Sequence, residues 1–143
     1  MQKQVKKKYW YLQDWGTYNN QTPVFVGYTV KEITAIIKKQ KDWNKEMVKK
    51  WCDDEDLAEF MEGKNGAVWK YEGWTLLYLP SWNGTWDDIE TLVHECFHLV
   101  IYQLGQQKAF INGGRVEEEG MAYQQEYLFH SIRRKLASKM LTK

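Results

Sequence analysis

The sequence predicts an α+β domain in which a small β-sheet packs on helices. Runs rich in aromatic and β-branched residues alternate with stretches whose apolar residues recur at helical spacing. Their order along the chain is two strands, three helices, two strands and two helices, which is typical of an α+β fold. The chain has 143 residues and no repeat or linker-like stretch, so we expect a single domain spanning 1–143.

The predicted strands form two pairs. The first pair covers 9–15 and 24–28, and the second covers 68–72 and 74–79, with Gly73 between its members. A glycine between two short strands favours a hairpin. Pro80 is expected to end the last strand.

Five helices are predicted, three of them between the strand pairs. The first holds Ile33, Ile36 and Ile37 at helical spacing. Thr85 is the expected N-cap of the fourth helix, with Asp88 three residues later, and Gly105 is its expected C-cap. The predicted helical ranges are 31–40, 43–51, 54–62, 86–104 and 115–138.

Composition and charge narrow the possible partners. The net charge of +1 gives no overall attraction to nucleic acid, and the basic residues near both ends are weak evidence for such contact. No apolar run is long enough for a transmembrane helix, and the N-terminus lacks the apolar segment of a secretory signal. We therefore expect a cytoplasmic protein with no membrane contact and with Cys52 and Cys96 unpaired, Cys96 in the core.

Aromatic residues are abundant, with eight Trp and nine Tyr. Such side chains bury a large area each, so many are expected in the core. The alternative is that some of the tryptophans line a cleft for a peptide or a glycan.

The chemically distinctive segment is HECFH, residues 94–98. His94 and His98 are four residues apart and therefore lie on one face of the predicted helix, where both imidazoles can bind one metal ion. Glu95 flanks that face and can reach a water molecule at the metal as a general base. The rest of this helix is apolar around most of its circumference, so we expect it to be buried.

The third ligand is indicated by a resemblance. HECFH followed by Glu119-Gly-Met-Ala resembles the gluzincin metallopeptidases, over roughly residues 74–130. Leu104 stands where a metzincin would have its third His. The resemblance implies one Zn²⁺ held by His94, His98 and Glu119. It also implies a zincin-like fold, with a small mixed sheet against an active-site helix and a C-terminal ligand-bearing helix. In that class the strand before the motif helix, here 74–79, pairs with an extended substrate.

Several assignments around the motif stay open. Glu117 and Glu118 compete with Glu119, although acidic residues at a helix N-terminus need no further role. Tyr123 is the leading candidate for the residue that stabilises the oxyanion, with Tyr102 and Tyr127 as alternatives. Glu126 lies on the same helix face as Glu119 and is a candidate hydrogen-bond partner for a ligand His.

The resemblance implies a zinc-dependent hydrolase that acts on peptide or protein substrates, with Glu95 as general base. The oligomeric state is not predicted. Two alternatives remain. One is a hydrolase of cell-wall peptide or amide bonds, with surface tryptophans contacting glycan. The other is a binding or regulatory module with a structural or degenerate zinc site, against which the intact Glu95 argues.

Overall fold

The structure is a computed structural model that describes residues 7–16, 18–53, 63–106, 111–112, 115–116 and 118–141. It shows an α+β fold with a four-stranded mixed sheet. The strands of this sheet are β1 (Tyr9–Trp15), β2 (Tyr18–Val26), β3 (Ala67–Tyr71) and β4 (Trp74–Leu79). The helices of the described residues are α1 (Val30–Lys38), α2 (Lys45–Asp53), α3 (Trp86–Gln106) and α4 (Glu118–Met140). A short two-stranded ladder, β5 (Ile111–Asn112) with β6 (Arg115–Val116), lies between α3 and α4.

The sheet joins two antiparallel hairpins through a parallel junction. Its strand order is β1-β2-β4-β3, with β2 and β4 pairing in parallel from Val24↔Leu77 to Val26↔Leu79. A parallel pair needs a crossover connection, and here the crossover contains α1 and α2. The strand before the motif helix, β4, is therefore flanked by β2 and β3, and its expected pairing with an extended substrate is wrong. On that side of the sheet the edge strand is β3.

Both faces of the sheet are covered by helices, because β4 presents apolar side chains alternately to each face. Leu77 and Leu79 pack with α3 and α4, whereas Leu76 and Tyr78 pack with α1 and α2. A strand buried on both faces reads as a continuous apolar run, as TLLYL does. The sequence predicted helices against the sheet without indicating that they occupy both sides.

The predicted boundaries hold closely for most elements. β2 begins at Tyr18, earlier than predicted, and α3 continues through Gly105 to Gln106, so Gly105 is not its C-cap. Residues 115–116 form β6 rather than the start of the last helix. The helix predicted at 54–62 lies outside the described residues. The Thr85 cap is confirmed, since Thr85 Oγ1 accepts from the Asp88 N–H at 3.2 Å.

A chain of buried hydrogen bonds ties α3 to the sheet. The Gln103 amide donates to the Gly73 carbonyl at 3.1 Å and to Thr75 Oγ1 at 2.8 Å. Thr75 Oγ1 lies 2.8 Å from Thr22 Oγ1, which accepts from the Trp15 indole at 2.9 Å. Because these polar groups are buried, each depends on its partners in the chain. The C-terminal half of α3 is thereby held in position against the β3–β4 hairpin.

Helix α4 runs antiparallel to α3. The Gln125 amide of α4 donates to the Val93 carbonyl at 3.4 Å, and Leu141 lies against Gly84 just before α3. Residue numbers thus fall along one helix as they rise along the other. Gln124 Nε2 donates to the Trp15 carbonyl at 3.1 Å, which ties α4 to the first hairpin.

Tyr127 makes a second connection between α4 and the first hairpin. Its hydroxyl donates to Asp14 Oδ1, and its ring packs against Gly16, whose φ is 66°. The hydrogen bond from Tyr127 lowers the pKa of Asp14 below its ordinary value. A carboxyl with a lowered folded-state pKa stabilises the fold above its unfolded pKa, and that contribution disappears as the pH falls.

We expect Tyr127→Phe to destabilise the protein at neutral pH by about 0.5 kcal/mol, because the pair lies near the surface. The difference from wild type should shrink as the pH falls below about 4, because Asp14 is protonated first in the unfolded chain and at lower pH in the folded wild type. Urea unfolding of both proteins across this pH range measures it. A difference that stays constant or grows towards acid pH would contradict the assignment.

Candidate metal centre

His94 and His98 lie one turn apart on α3, with their rings arranged edge to face at 79°. Their Nε2 atoms are 3.1 Å apart and their ring centroids 4.7 Å apart. Two nitrogens bound tetrahedrally to one zinc ion, each at about 2.0–2.1 Å, are about 3.3 Å from each other. The two Nε2 atoms are therefore spaced as a shared metal ion requires. A hydrogen bond between one protonated and one unprotonated nitrogen would also fit this distance.

The helix face that carries the histidines is open. His94 is exposed and His98 half-buried, while the neighbouring Val93 and Phe97 are 41% and 48% exposed. The expectation that α3 is buried around most of its circumference is therefore wrong at this face. The apolar residues on the opposite face are buried, among them Cys96, whose predicted place in the core is confirmed. Both cysteines are free thiols. The result is an accessible histidine pair with exposed apolar side chains beside it.

Glu95 follows His94 on α3, and its side chain lies against Gly66, just before β3. It is only 6% exposed, and burial raises the pKa of its carboxyl, while His94 and His98 act in the opposite direction. A buried carboxyl with a raised pKa is a better proton acceptor than an exposed one, because its basicity lies closer to neutral pH. The position suits a residue that takes a proton and does not itself bind a metal.

Gly66 determines how closely the strand approaches α3 at this point. A Cβ placed on Gly66 would lie 2.7 Å from Thr91 Cγ2 and 3.3 Å from Glu95 Cγ. The absence of a side chain at residue 66 therefore leaves room for the Glu95 side chain between strand and helix. Gly66 was not among the site residues predicted from the sequence. Its position directly before β3 was the signal that could have pointed to a close contact.

The third predicted ligand, Glu119, belongs to the first turn of α4, and its side chain lies outside the described residues. The same holds for Glu118, and Glu117 is not described at all. Among the side chains that are described, no group of three His, Cys, Asp or Glu could hold a metal ion. The structure thus brings His94, His98 and Glu95 together and leaves the choice among the three glutamates untested.

The tyrosines proposed for the oxyanion differ in their surroundings. Tyr123 is 68% exposed on α4, and Tyr127 is engaged by Asp14. Tyr102 stacks on His98, with ring centroids 6.0 Å apart and planes at 18°. Of the three, Tyr102 is the one with a described contact to the histidine pair. Its distance from Glu95 along the sequence gave no reason to prefer it.

Glu126 lies beside His130 rather than beside a ligand histidine. Its Oε1 is 4.0 Å from His130 Nε2, and both side chains are well exposed. Within the described residues, Glu126 does not form the expected hydrogen bond to His94 or His98. Glu126 therefore has no described role at the histidine pair.

A cleft of about 280 Å³ adjoins the histidine pair at the next turn of α3. Its lining residues are Lys70, Glu72, Gly73, Trp74, Thr75, Tyr102 and Gln103. A second cleft, of about 150 Å³, shares Trp74 with it and is lined by Trp43 and Trp51 on the α1–α2 side of the sheet. A tryptophan-lined cleft was an alternative expected from the sequence, but neither Lys70 nor Tyr102 was predicted to line one.

Comparisons with protein-family models, curated proteins and solved structures give no match for this chain. No helix in the described ranges is long and apolar enough to cross a membrane.

Proposed function

We propose that this chain is a zinc-dependent peptidase that hydrolyses peptide bonds at the face of α3 bearing His94 and His98. The observation that carries the proposal is the 3.1 Å separation of the two Nε2 atoms on the same helix that bears the buried carboxyl of Glu95. A purely structural zinc site needs no such carboxyl, whereas hydrolysis needs a general base. Peptide bonds are the substrate implied by the gluzincin resemblance of HECFH and Glu119-Gly-Met-Ala.

In this proposal Glu119 supplies the third ligand. Gln125 of α4 contacts Val93 of α3, and the helices are antiparallel. Moving six residues back from Gln125 and five forward from Val93 covers about 9 Å and 7.5 Å at 1.5 Å per residue. The backbone of Glu119 is therefore expected at the level of the turn that holds His98. The zincin-like fold that we propose would place a mixed sheet beside α3 and the third ligand on α4.

Different residues of the proposed site bind the metal, transfer the proton and stabilise the oxyanion. Neutral imidazoles at His94 and His98 would hold the ion together with the Glu119 carboxylate, leaving the fourth position of a catalytic site open. When bound, the ion supplies Lewis-acid polarisation of the substrate carbonyl and acidifies water. Glu95 accepts the proton from the attacking water and returns it to the leaving amine. A tyrosine hydroxyl, from Tyr102 or Tyr123, donates a hydrogen bond to the developing oxyanion.

The first test is the zinc content of the purified protein and of three variants at matched concentration. We expect one zinc per chain in wild type, none in His98→Ala and weakened binding in Glu119→Gln. His130→Ala is the control, since it removes the chain's third histidine, which lies on an exposed part of α4. We expect it to bind zinc as wild type does.

No zinc in wild type after metal loading would overturn the proposal and leave a tryptophan-rich binding module as the better account. Unchanged zinc affinity in Glu119→Gln would instead overturn only the third ligand. Glu118→Gln would then be measured in the same way.

A further inference from the structure

The cleft beside Tyr102 contains a positive charge, the Lys70 ammonium group, next to the histidine pair. Lys70 lies on the edge strand β3, and its Nζ is 3.9 Å from the centroid of the Tyr102 ring. Tyr102 in turn stacks on His98. The ammonium group, the phenol ring and the imidazole thus follow one another along the same side of α3.

The Lys70 ammonium forms no ion pair with any of the described residues. Glu72 lines the same cleft, yet its carboxylate is not within ion-pair distance of Lys70. A cation–π contact with Tyr102 orients the ammonium and leaves N–H groups available to an acceptor. The cleft therefore presents a positioned cation that can bind a substrate carboxylate.

The walls of the cleft are held in place by buried hydrogen bonds. Gln103 donates to the Gly73 carbonyl and to Thr75 Oγ1, which connects the floor of the cleft to the β3–β4 hairpin. Trp74, at the start of β4, lines the cleft as well.

The spacing along α3 suits an extended substrate. The Tyr102 and His98 rings are 6.0 Å apart, about the length of two residues of an extended chain at about 3.3 Å each. A peptide with its scissile bond at the histidine pair would bring a nearby residue to the mouth of the cleft. Glu72 follows β3 directly, in the turn that leads to β4.

We propose that this cleft is a substrate subsite for a carboxylate and that Lys70 determines its specificity. The inference rests on the proposed peptidase function. The carboxylate can come from an acidic side chain or from the C-terminus of a short peptide, and the experiment separates these two sources.

The experiment starts from a fluorogenic peptide that wild type cleaves, found in a mixed library. Glu and Gln are then compared at each position flanking the cleaved bond, and a free C-terminal carboxylate is compared with an amide. We expect kcat/KM to be about tenfold higher for one carboxylate peptide than for its neutral counterpart, mainly through KM. The favoured peptide shows whether a side chain or the C-terminus is bound.

The variants test whether Lys70 causes the preference. Lys70→Met should remove the tenfold preference, Lys70→Arg should keep it, and Lys70→Glu should reverse it towards Lys-containing peptides. Glu72→Gln should raise kcat/KM for the carboxylate peptide about twofold, because it removes a negative charge that repels the carboxylate of the peptide. Lys31→Met, on the exposed surface of α1, is the matched control for loss of one positive charge.

A preference that survives in Lys70→Met, or equal cleavage of all charged and neutral peptides, would overturn the inference. Binding provides a readout that does not depend on turnover. Zinc-loaded Glu95→Gln should bind a labelled carboxylate peptide about tenfold more tightly than zinc-loaded Glu95→Gln carrying Lys70→Met. Such binding in a protein whose wild type cleaves no peptide would support the subsite and overturn the peptidase function.

Discussion

Glu95→Gln is expected to reduce kcat for peptide hydrolysis by about a thousandfold or more, while the protein keeps its zinc and its fold. A general base contributes about 10² to 10⁴ in rate, and Gln has nearly the same shape as Glu but cannot accept the proton. Because Glu95 is buried next to Gly66, the isosteric change should leave the packing between β3 and α3 intact. Turnover of the best library peptide, zinc content and thermal unfolding should be measured on the same preparation.

Glu90→Gln is the matched control for this variant, since Glu90 is exposed one turn earlier on α3. We expect it to be fully active. A Glu95→Gln protein that binds zinc and keeps more than about a tenth of the wild-type rate would exclude Glu95 as the base. Loss of zinc in the variant would instead place the Glu95 carboxylate among the metal ligands.

Gln103→Ala should lower the free energy of unfolding by about 3 kcal/mol. The substitution removes the donor to the Gly73 carbonyl and to Thr75, and the acceptor that the Asn20 side-chain amide uses. Buried polar groups left without a partner cost about 1–3 kcal/mol each, and water entering the space can offset part of that cost. Urea unfolding at neutral pH measures the change.

Gln125→Ala is the control for the Gln103 variant, because Gln125 makes a single, longer hydrogen bond of 3.4 Å near the surface. We expect its effect to be below about 0.5 kcal/mol. A Gln103 variant no less stable than the Gln125 variant would show that the buried chain of hydrogen bonds does not hold α3 against the sheet.

Local patterns in the sequence predicted most of the elements but not their arrangement. β4 was predicted from residue 74 to 79 and observed there, because strand propensity and Pro80 are local signals. Its position between β2 and β3 depends on pairing with Val24–Val26, far away in the chain, which no local periodicity encodes. Gly105 shows the opposite case, in which a local signal for a helix end is overridden, since a glycine inside a helix costs only about 1 kcal/mol.

The candidate site was predictable where it depends on one helix and unpredictable where it depends on two elements. The spacing of His94 and His98 predicted that they share a face, and their Nε2 atoms do meet. Lys70 reaches Tyr102 only because β3 is the edge strand next to α3, and nothing in the letters KYEGW identifies that neighbour. The exposure of Phe97 likewise follows from which face of α3 the sheet covers.

The parallel junction between β2 and β4 has a consequence for the order of folding. Within each hairpin the strands are joined by a tight turn, as Tyr71↔Trp74 shows, and such pairs form within microseconds. Leu77 follows Val24 by 53 positions, so closing the junction costs more chain entropy and is expected to come later. The face of α3 opposite His94 packs on a core that needs residues from both β2 and β4. The helix face that carries His94 is therefore expected to reach its final surroundings only after the two halves of the sheet have joined.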